Sequence, residues 1–312
     1  MSDNIYYGLR GEVFKNLLYN ILKKSNLKEK YINILLSEKN LSEYNKAFTS
    51  LSSNTDENYE VYEQLGDLSI NKFIVHYCYK RFPQLNCHLG VKIIARLRIN
   101  YASKNNFSEI GDQLKFWDFI TASHELRNQK RKDLLEDCFE AFIGCTEKIL
   151  DDHFMIGVGY AIVYDILTSI FNSRPMSIKY EDLFDAKTRL KELFQFYNKD
   201  LGSEVYISQK INTVTGDVVN PNANNYNHNI ITKTSVYMVP TGIDKKPIRQ
   251  KILIDGIQVT LETPHPNWFF LAYGKGAIVT TAKQNAAARA LQVLKNQGWT
   301  KEIPNEYKFF CN

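Results

Sequence analysis

Apolar side chains recur at three- and four-residue steps from residue 10 to residue 170. Leu17, Leu18, Ile21 and Leu22 open the pattern, and Ile93, Ile94, Leu97 and then Phe139, Phe142 and Ile143 continue it. That period matches the turn of an α-helix, so it predicts an almost continuous helical stretch interrupted by one proline, Pro83. The polar run Ser52-Ser53-Asn54-Thr55-Asp56 breaks the stretch and is expected to cap the helix that follows, whose early Asp and Glu suit the positive end of its dipole.

The helical pattern stops at Asn172-Ser173-Arg174-Pro175, and a connector leads to a helix over 185–197. Beyond it, Glu204–Ile211, Lys251–Ile254, Ile257–Glu262 and Trp268–Tyr273 are β-branched or aromatic runs with partial alternation, which predicts strands. Thr280–Leu294 is an alanine-rich helix. An asparagine-rich run at 221–229 has no period, so 212–247 is expected to be a surface insertion. The predicted fold is an all-α N-terminal domain at 1–175, a linker at 176–184 and an α-β-β-β-α domain at 185–312.

Composition narrows the class. At 312 residues, 44% hydrophobic and 23% charged, the chain is long enough for two domains and too apolar to be disordered. Its longest mostly apolar stretch, Phe154–Leu167, carries Asp165 and falls short of the ~20 residues that cross a bilayer; the polar start lacks a signal-peptide core. No membrane association or secretion is expected. Five cysteines, an odd number without CxxC spacing, point to reduced thiols and a cytoplasmic setting. The net charge of +5 is unevenly spread: residues 185–312 hold 16 Lys and Arg against 10 Asp and Glu, while the rest is nearly neutral. That division suggests binding in one part and chemistry in the other, although on charge alone it is also an ordinary solubility charge.

The candidate chemistry is acidic. Glu60, Glu63 and Asp67 stand at i, i+3 and i+7, one face of a helix whose apolar side is Val61, Leu65 and Leu68. Acids on one face repel one another, so either water screens them or a cation holds them. A second segment, Leu134–Gly144, sets Asp137 and Glu140 beside a strongly apolar surface, which is not how solvent-facing acids are usually placed. Two helices each offering two carboxylates to a common centre make an oxygen-rich site for Mg²⁺ or Mn²⁺, and phosphodiester hydrolysis is the natural chemistry of such a site.

These residues carry a resemblance. Glu60-Val61-Tyr62-Glu63-Gln64-Leu65-Gly66-Asp67 resembles ERLEFLGD, the signature helix of the ribonuclease III family, and Asp137-Cys138-Phe139-Glu140-Ala141-Phe142-Ile143-Gly144 resembles its D-x-x-E-A-L-I-G motif. Arg81-Phe82-Pro83 with Leu89-Gly90, and Arg98-Ile99-Asn100 with Phe107–Gly111, are similar to the segments the family places between them. The likeness covers roughly residues 45–170. It implies that Glu63, Asp67, Asp137 and Glu140 are metal-centred catalytic carboxylates, with Glu63 and Glu140 the direct ligands, and that Glu60 helps position RNA and cation. Gln64 stands where relatives have a phenylalanine that enters a socket on a second subunit.

The C-terminal part resembles a double-stranded RNA-binding domain. Lys187–Glu192 is similar to KTxLQE, which implies minor-groove contacts from Thr188, Lys191 and Glu192. Gly274-Lys275-Gly276 followed by Ala282-Lys283 and Ala286-Ala287-Ala288 keeps the spacing of GxGxSKKxAKxxAA, but Ile278, Val279 and Thr280 replace Ser-Lys-Lys, leaving Lys283 and Lys275 for phosphates. The resemblance implies a Mg²⁺-dependent homodimeric endonuclease for double-stranded RNA, with Mn²⁺ as the alternative ion. The products would carry 5′-phosphate and 3′-hydroxyl ends with short 3′ overhangs. The rivals are a catalytically inactive dimeric RNA-binding or scaffold protein of the same fold and a phosphohydrolase of small nucleotides.

Overall fold

The helix Arg131–His153 (α8) organises the first part of the chain because it is buried on nearly every side. From Leu134 to Thr146 all but Glu136 and Asp137 are buried in the computed structural model, which describes residues 4–220, 229–254 and 256–311. A helical stretch buried on nearly every side lies inside a bundle. Around it stand α1 (Glu12–Lys24), α2 (Glu29–Leu35), α3 (Glu38–Ala47), α4 (Glu60–Arg81), α5 (Gly90–Tyr101), α6 (Lys104–Gln113), α7 (His124–Gln129) and α9 (Val158–Asn172). Two-residue strands β1 (Ile5–Tyr6) and β2 (Ala122–Ser123) pair antiparallel beside them.

The sequence explains where the key helices start. In α4, Glu60 and Glu63 occupy the first turn and Lys80 and Arg81 the last, both favourable to the helix dipole, and Tyr62, Gly66, Ser69, Ile70, Phe73, Ile74 and Tyr77 form its buried stripe. The run 52–56 does not cap α4 as expected: Asn54 instead closes its own turn onto Asp56 and Glu57, and Asn58 Oδ1 accepts the Glu60 N–H at 3.1 Å. A polar run satisfied by local turns has no oxygen left for the next helix.

The chain divides into two compact units, Met1–Ile178 and Lys179–Asn312. The second holds α10 (Tyr180–Leu183), α11 (Ala186–Phe196), α12 (Asn198–Leu201), β3 (Ser203–Asn212), β4 (Ile230–Val239), β5 (Ile248–Ile254), β6 (Ile257–Thr263), β7 (Phe269–Gly276), α13 (Val279–Asn296) and α14 (Asn305–Cys311). Tyr180 and Leu183, in the stretch expected to be a linker, are buried. Strands β3, β4 and β7 form an antiparallel sheet in that order, and β5–β6 is a separate hairpin. Leu190, Leu193, Ala286 and Ala290 of α11 and α13 pack with Val236 and Ala272 on one face of the sheet.

The expected insertion at 212–247 is corrected here. It contains β4, the central strand, while the departure from a simple α-β-β-β-α order is the hairpin β5–β6, whose segments read as ordinary strands. The inward positions of β4 include Thr232 and Thr234, and the Thr234 hydroxyl pairs with Ser208 Oγ at 2.8 Å. A core-facing hydroxyl satisfied by its neighbour leaves no apolar alternation to read. Most of the asparagine-rich run, 221–228, lies outside the described residues. No helix among the described residues is long and apolar enough to cross a membrane.

Candidate active site

Helices α4 and α8 touch backbone to backbone. A Cβ built on Gly66 would lie 1.8 Å from the Glu140 carbonyl oxygen, and one built on Gly144 would lie 2.0 Å from that of Tyr62. The contacts advance together, Tyr59 with Asp137, Gly66 with Gly144 and Ser69 with Glu147, so the two helices run in the same direction. Glycine removes the side chain that would hold the axes apart, and the acids flanking the contact are drawn together.

All four acids expected for catalysis lie close enough there to act on one another's charge. Burial, and then the charges of Asp67, Glu136, Glu63 and Asp137, push the Glu140 carboxyl up to about 9. Burial, followed by the charges of Asp137 and Glu60, pushes Glu63 up to about 7. Asp137 rises to about 6, chiefly by burial, with the Tyr59 hydroxyl bond acting against the rise. Mutual repulsion of this kind shows carboxylates sharing one low-dielectric space.

The aspartates are held and the glutamates are not. Tyr59 Oη donates to Asp137 Oδ2 at 2.8 Å, and Asn71 Nδ2 donates to Asp67 Oδ1 at 2.7 Å. Lys104 Nζ lies 2.8 Å from Asp133 Oδ1 and 3.1 Å from Glu136 Oε2, which sets a positive charge at the margin of the cluster. Glu140, only 6% exposed, and Glu63 have no side-chain hydrogen bond or ion pair among the described residues. Glu60 is exposed at the start of α4.

The donor set fits a hard divalent cation: it is all oxygen, largely buried, and has more negative charge than its neighbours offset. The side chains do not already converge, since among the described residues no three His, Cys, Asp or Glu groups are grouped as a metal site. Glu63, Asp67, Asp137 and Glu140 are the residues that would hold the ion.

A stability prediction follows. A carboxyl whose folded pKa lies above its unfolded value of about 4.5 destabilises the folded state as pH rises through the window between the two, here from ~4.5 to ~9 for Glu140. In EDTA the melting temperature is expected to fall between pH 5 and pH 8.5, and Glu140→Gln, neutral throughout, to reduce that fall. Mg²⁺ should raise the melting temperature more at pH 8 than at pH 5, because ion binding displaces the proton. Parallel pH curves for parent and variant, with no Mg²⁺ effect at either pH, would contradict the cluster as described.

Three residues that contact the carboxylates escaped the sequence reading. Asn71 is one turn beyond Asp67 and was detectable from i, i+4 spacing. Tyr59 and Lys104 reach α8 from other parts of the chain, and no local pattern marks them.

On the outer side of α4, Val61 is 66% exposed, Leu65 40% and Leu68 68%, with Gln64 exposed among them. In the second unit the expected RNA contacts divide. Lys191 and Lys275 are exposed and Lys283 is half-buried. Thr188 is occupied: its N–H and hydroxyl both bond the Asp185 carboxylate that caps α11. Glu192 Oε2 accepts from Tyr180 Oη at 2.8 Å and from Lys301 Nζ at 3.0 Å, so it binds α10 and the chain's end to α11.

The acid-lined helix pair within an all-helical bundle defines a ribonuclease III domain, and the family model described as "Ribonuclease III domain" matches residues 60–146, from the start of α4 to the middle of α8. A protein of Invertebrate iridescent virus 6 that carries a provisional ribonuclease 3 name is 36% identical over 98% of this chain and 96% of its own length. The chain therefore belongs to the ribonuclease III family. A Frog virus 3 protein with the same provisional name is 43% identical over 63% of this chain and 53% of that protein. The solved nuclease domain of ribonuclease III from Campylobacter jejuni is 22% identical, covering 54% of this chain and 99% of that one with a TM-score of 0.40.

Proposed function

We propose that the chain is a divalent-cation-dependent endoribonuclease that cuts double-stranded RNA as a homodimer. The ion is Mg²⁺, with Mn²⁺ as the alternative, and the products carry 5′-phosphate and 3′-hydroxyl ends with short 3′ overhangs. One observation carries the reading: the Glu140 carboxyl is buried with no side-chain hydrogen bond among the described residues, within reach of the charges of Glu63 and Asp67, at the point where α4 and α8 touch. An isolated buried carboxylate is costly enough that proteins pair it or use it.

A cation held by these acids would acidify water and offset the charge that builds on the phosphate. The chain's own residues prepare the site. Tyr59 and Asn71 each fix one aspartate oxygen and leave the other for the ion or its waters. Glu63 and Glu140 have no competing donor and can turn toward it. Glu60, exposed one turn before Glu63, is the residue proposed to meet RNA or its solvent ions. Retention of all four acids disfavours the inactive scaffold. The test is cleavage of long duplex RNA in Mg²⁺ against an EDTA control.

The second unit is read as a double-stranded RNA-binding-like domain, supported by its two helices on one face of a three-stranded sheet. Gln284 bonds both Asp185 Oδ1 and the Lys187 N–H, which lays the starts of α11 and α13 side by side with Lys187 and Lys283. Lys191, Lys275 and Lys283 are the phosphate contacts proposed; Thr188 and Glu192 would have to leave their present partners to reach a groove. The exposed stripe Val61, Gln64, Leu65 and Leu68 is the proposed dimer contact, since burying it recovers apolar area and the Gln64 amide can hydrogen-bond across the interface. Light scattering is expected to give a dimer mass for the full chain and a larger complex with a short duplex in EDTA. A monomer whose mass is unchanged by RNA would contradict both assignments.

A further inference from the structure

The sheet of the second unit has two unlike faces. One packs under α11 and α13. On the other, Ile207, Val239 and Trp268 form a small core with Val205, Tyr237 and Ile243, and Gln209 Nε2 donates to the Glu262 carbonyl of β6 at 3.2 Å. The exposed part of this face is Lys275, Tyr273 and Phe270 on β7, opposite the half-buried Lys233, Ser235 and Tyr237 on β4.

A β-bulge creates this surface. Residues three apart on a regular strand face opposite sides, but the register shifts at Val236/Tyr237, so that Tyr237 pairs with Phe270 and Ser235 with Tyr273. Phe270 and Tyr273 thus share one face. Contacts agree with the register: the Phe270 and Tyr237 ring centroids are 5.7 Å apart, and Lys233 Nζ lies 5.0 Å from the centroid of Tyr273. Arg289 reaches the same ring, its guanidinium 5.4 Å from the centroid and Nη1 bonded to the Tyr273 carbonyl at 3.0 Å. Phe270 is 56% exposed and Tyr273 40%. None of the side chains facing out from these paired positions is acidic.

We infer that this face binds unpaired nucleotides of single-stranded RNA, at a site that is separate from the acids and shares only Lys275 with the residues assigned to the duplex. Bare aromatic rings offer every base a stacking surface, and Lys233, Lys275 and Arg289 supply positive charge for the phosphates between bases. A duplex cannot use the rings, because its bases are already stacked inside the helix. A protein partner would need an acidic surface with apolar knobs, and exposed rings beside Lys233, Lys275 and Arg289, with no acid at the paired positions, favour a polyanion that carries its own flat faces.

The experiment uses the full chain in EDTA, so that RNA is bound and not cut, with a ten-nucleotide uridine RNA and a blunt duplex as separate probes. The double variant Phe270→Leu/Tyr273→Leu keeps apolar area but removes both rings. It is expected to weaken uridine-RNA binding about tenfold or more, on the scale of base–aromatic stacking, while duplex binding stays within about twofold; Tyr273→Phe should retain the parent affinity. A 5-iodouridine version of the RNA should photocrosslink to Phe270 or Tyr273. Uridine-RNA binding unchanged in the leucine variant, or crosslinks confined to other residues, overturns the inference and leaves duplex cleavage standing. A change in solution mass on ring removal, with no uridine-RNA binding by the parent, also overturns it and marks the face as a protein contact. Failure of the parent to cleave duplex in Mg²⁺ is a separate result that bears on the nuclease reading alone.

Discussion

Glu140→Gln is expected to bind duplex RNA as the parent does and to cut it at least ~10³-fold more slowly, a barrier increase of ~4 kcal/mol. The amide keeps the shape of the side chain but removes the charge that would hold a cation between α4 and α8. The same change should leave the metal-free protein no less stable, because the carboxyl it replaces is buried and pushed up to about 9. Lost activity with retained stability separates chemistry from folding, which a merely structural acid would not do. Quantitative cleavage gels beside thermal melts in EDTA provide the check, and cleavage within about tenfold of the parent would remove Glu140 from the mechanism.

Gly144→Ala is expected to act through the fold. Its new methyl group would meet the Tyr62 carbonyl oxygen at 2.0 Å and the Gly66 nitrogen at 2.7 Å, and both are backbone atoms of α4 that cannot rotate away. The helices must separate, at a cost of about 3 kcal/mol or more by the scale of overpacked cores. Separation would also pull Asp137 and Glu140 from Glu63 and Asp67, so cleavage should fall further than the folded fraction does. Urea unfolding of Gly144→Ala, with activity measured on the folded fraction, reads both effects. A loss below about 1 kcal/mol with full activity would show that the glycine contact does not set the spacing of the acids.

The two acid-bearing helices were legible in the sequence because a 3.6-residue period puts Glu60, Glu63 and Asp67, and likewise Asp137 and Glu140, on single faces. What joins those faces was not legible. Gly66 and Gly144 lie within the same motifs, but a glycine in a helix does not announce which backbone it will meet. Tyr59 and Lys104 act on Asp137 and Glu136 from outside α8, and such long-range pairings leave no local pattern. In the second unit the two longest helices, α11 and α13, and four strand runs stood out by composition. The central strand did not, since Thr232 and Thr234 fill its core-facing positions with hydroxyls. Thr188 and Glu192 show another limit: a motif supplied their positions, and neighbours absent from the motif, Asp185, Tyr180 and Lys301, decide how they are used.

The most direct test of the central claim is a cleavage assay of the full chain on a long, perfectly paired RNA, run in Mg²⁺, in EDTA, and on each strand alone. The acid cluster predicts that the duplex is cut internally in Mg²⁺, that products carry 5′-phosphate ends, and that EDTA abolishes cutting while the separate strands persist. A duplex left intact in Mg²⁺, or cut equally well in EDTA, would contradict it.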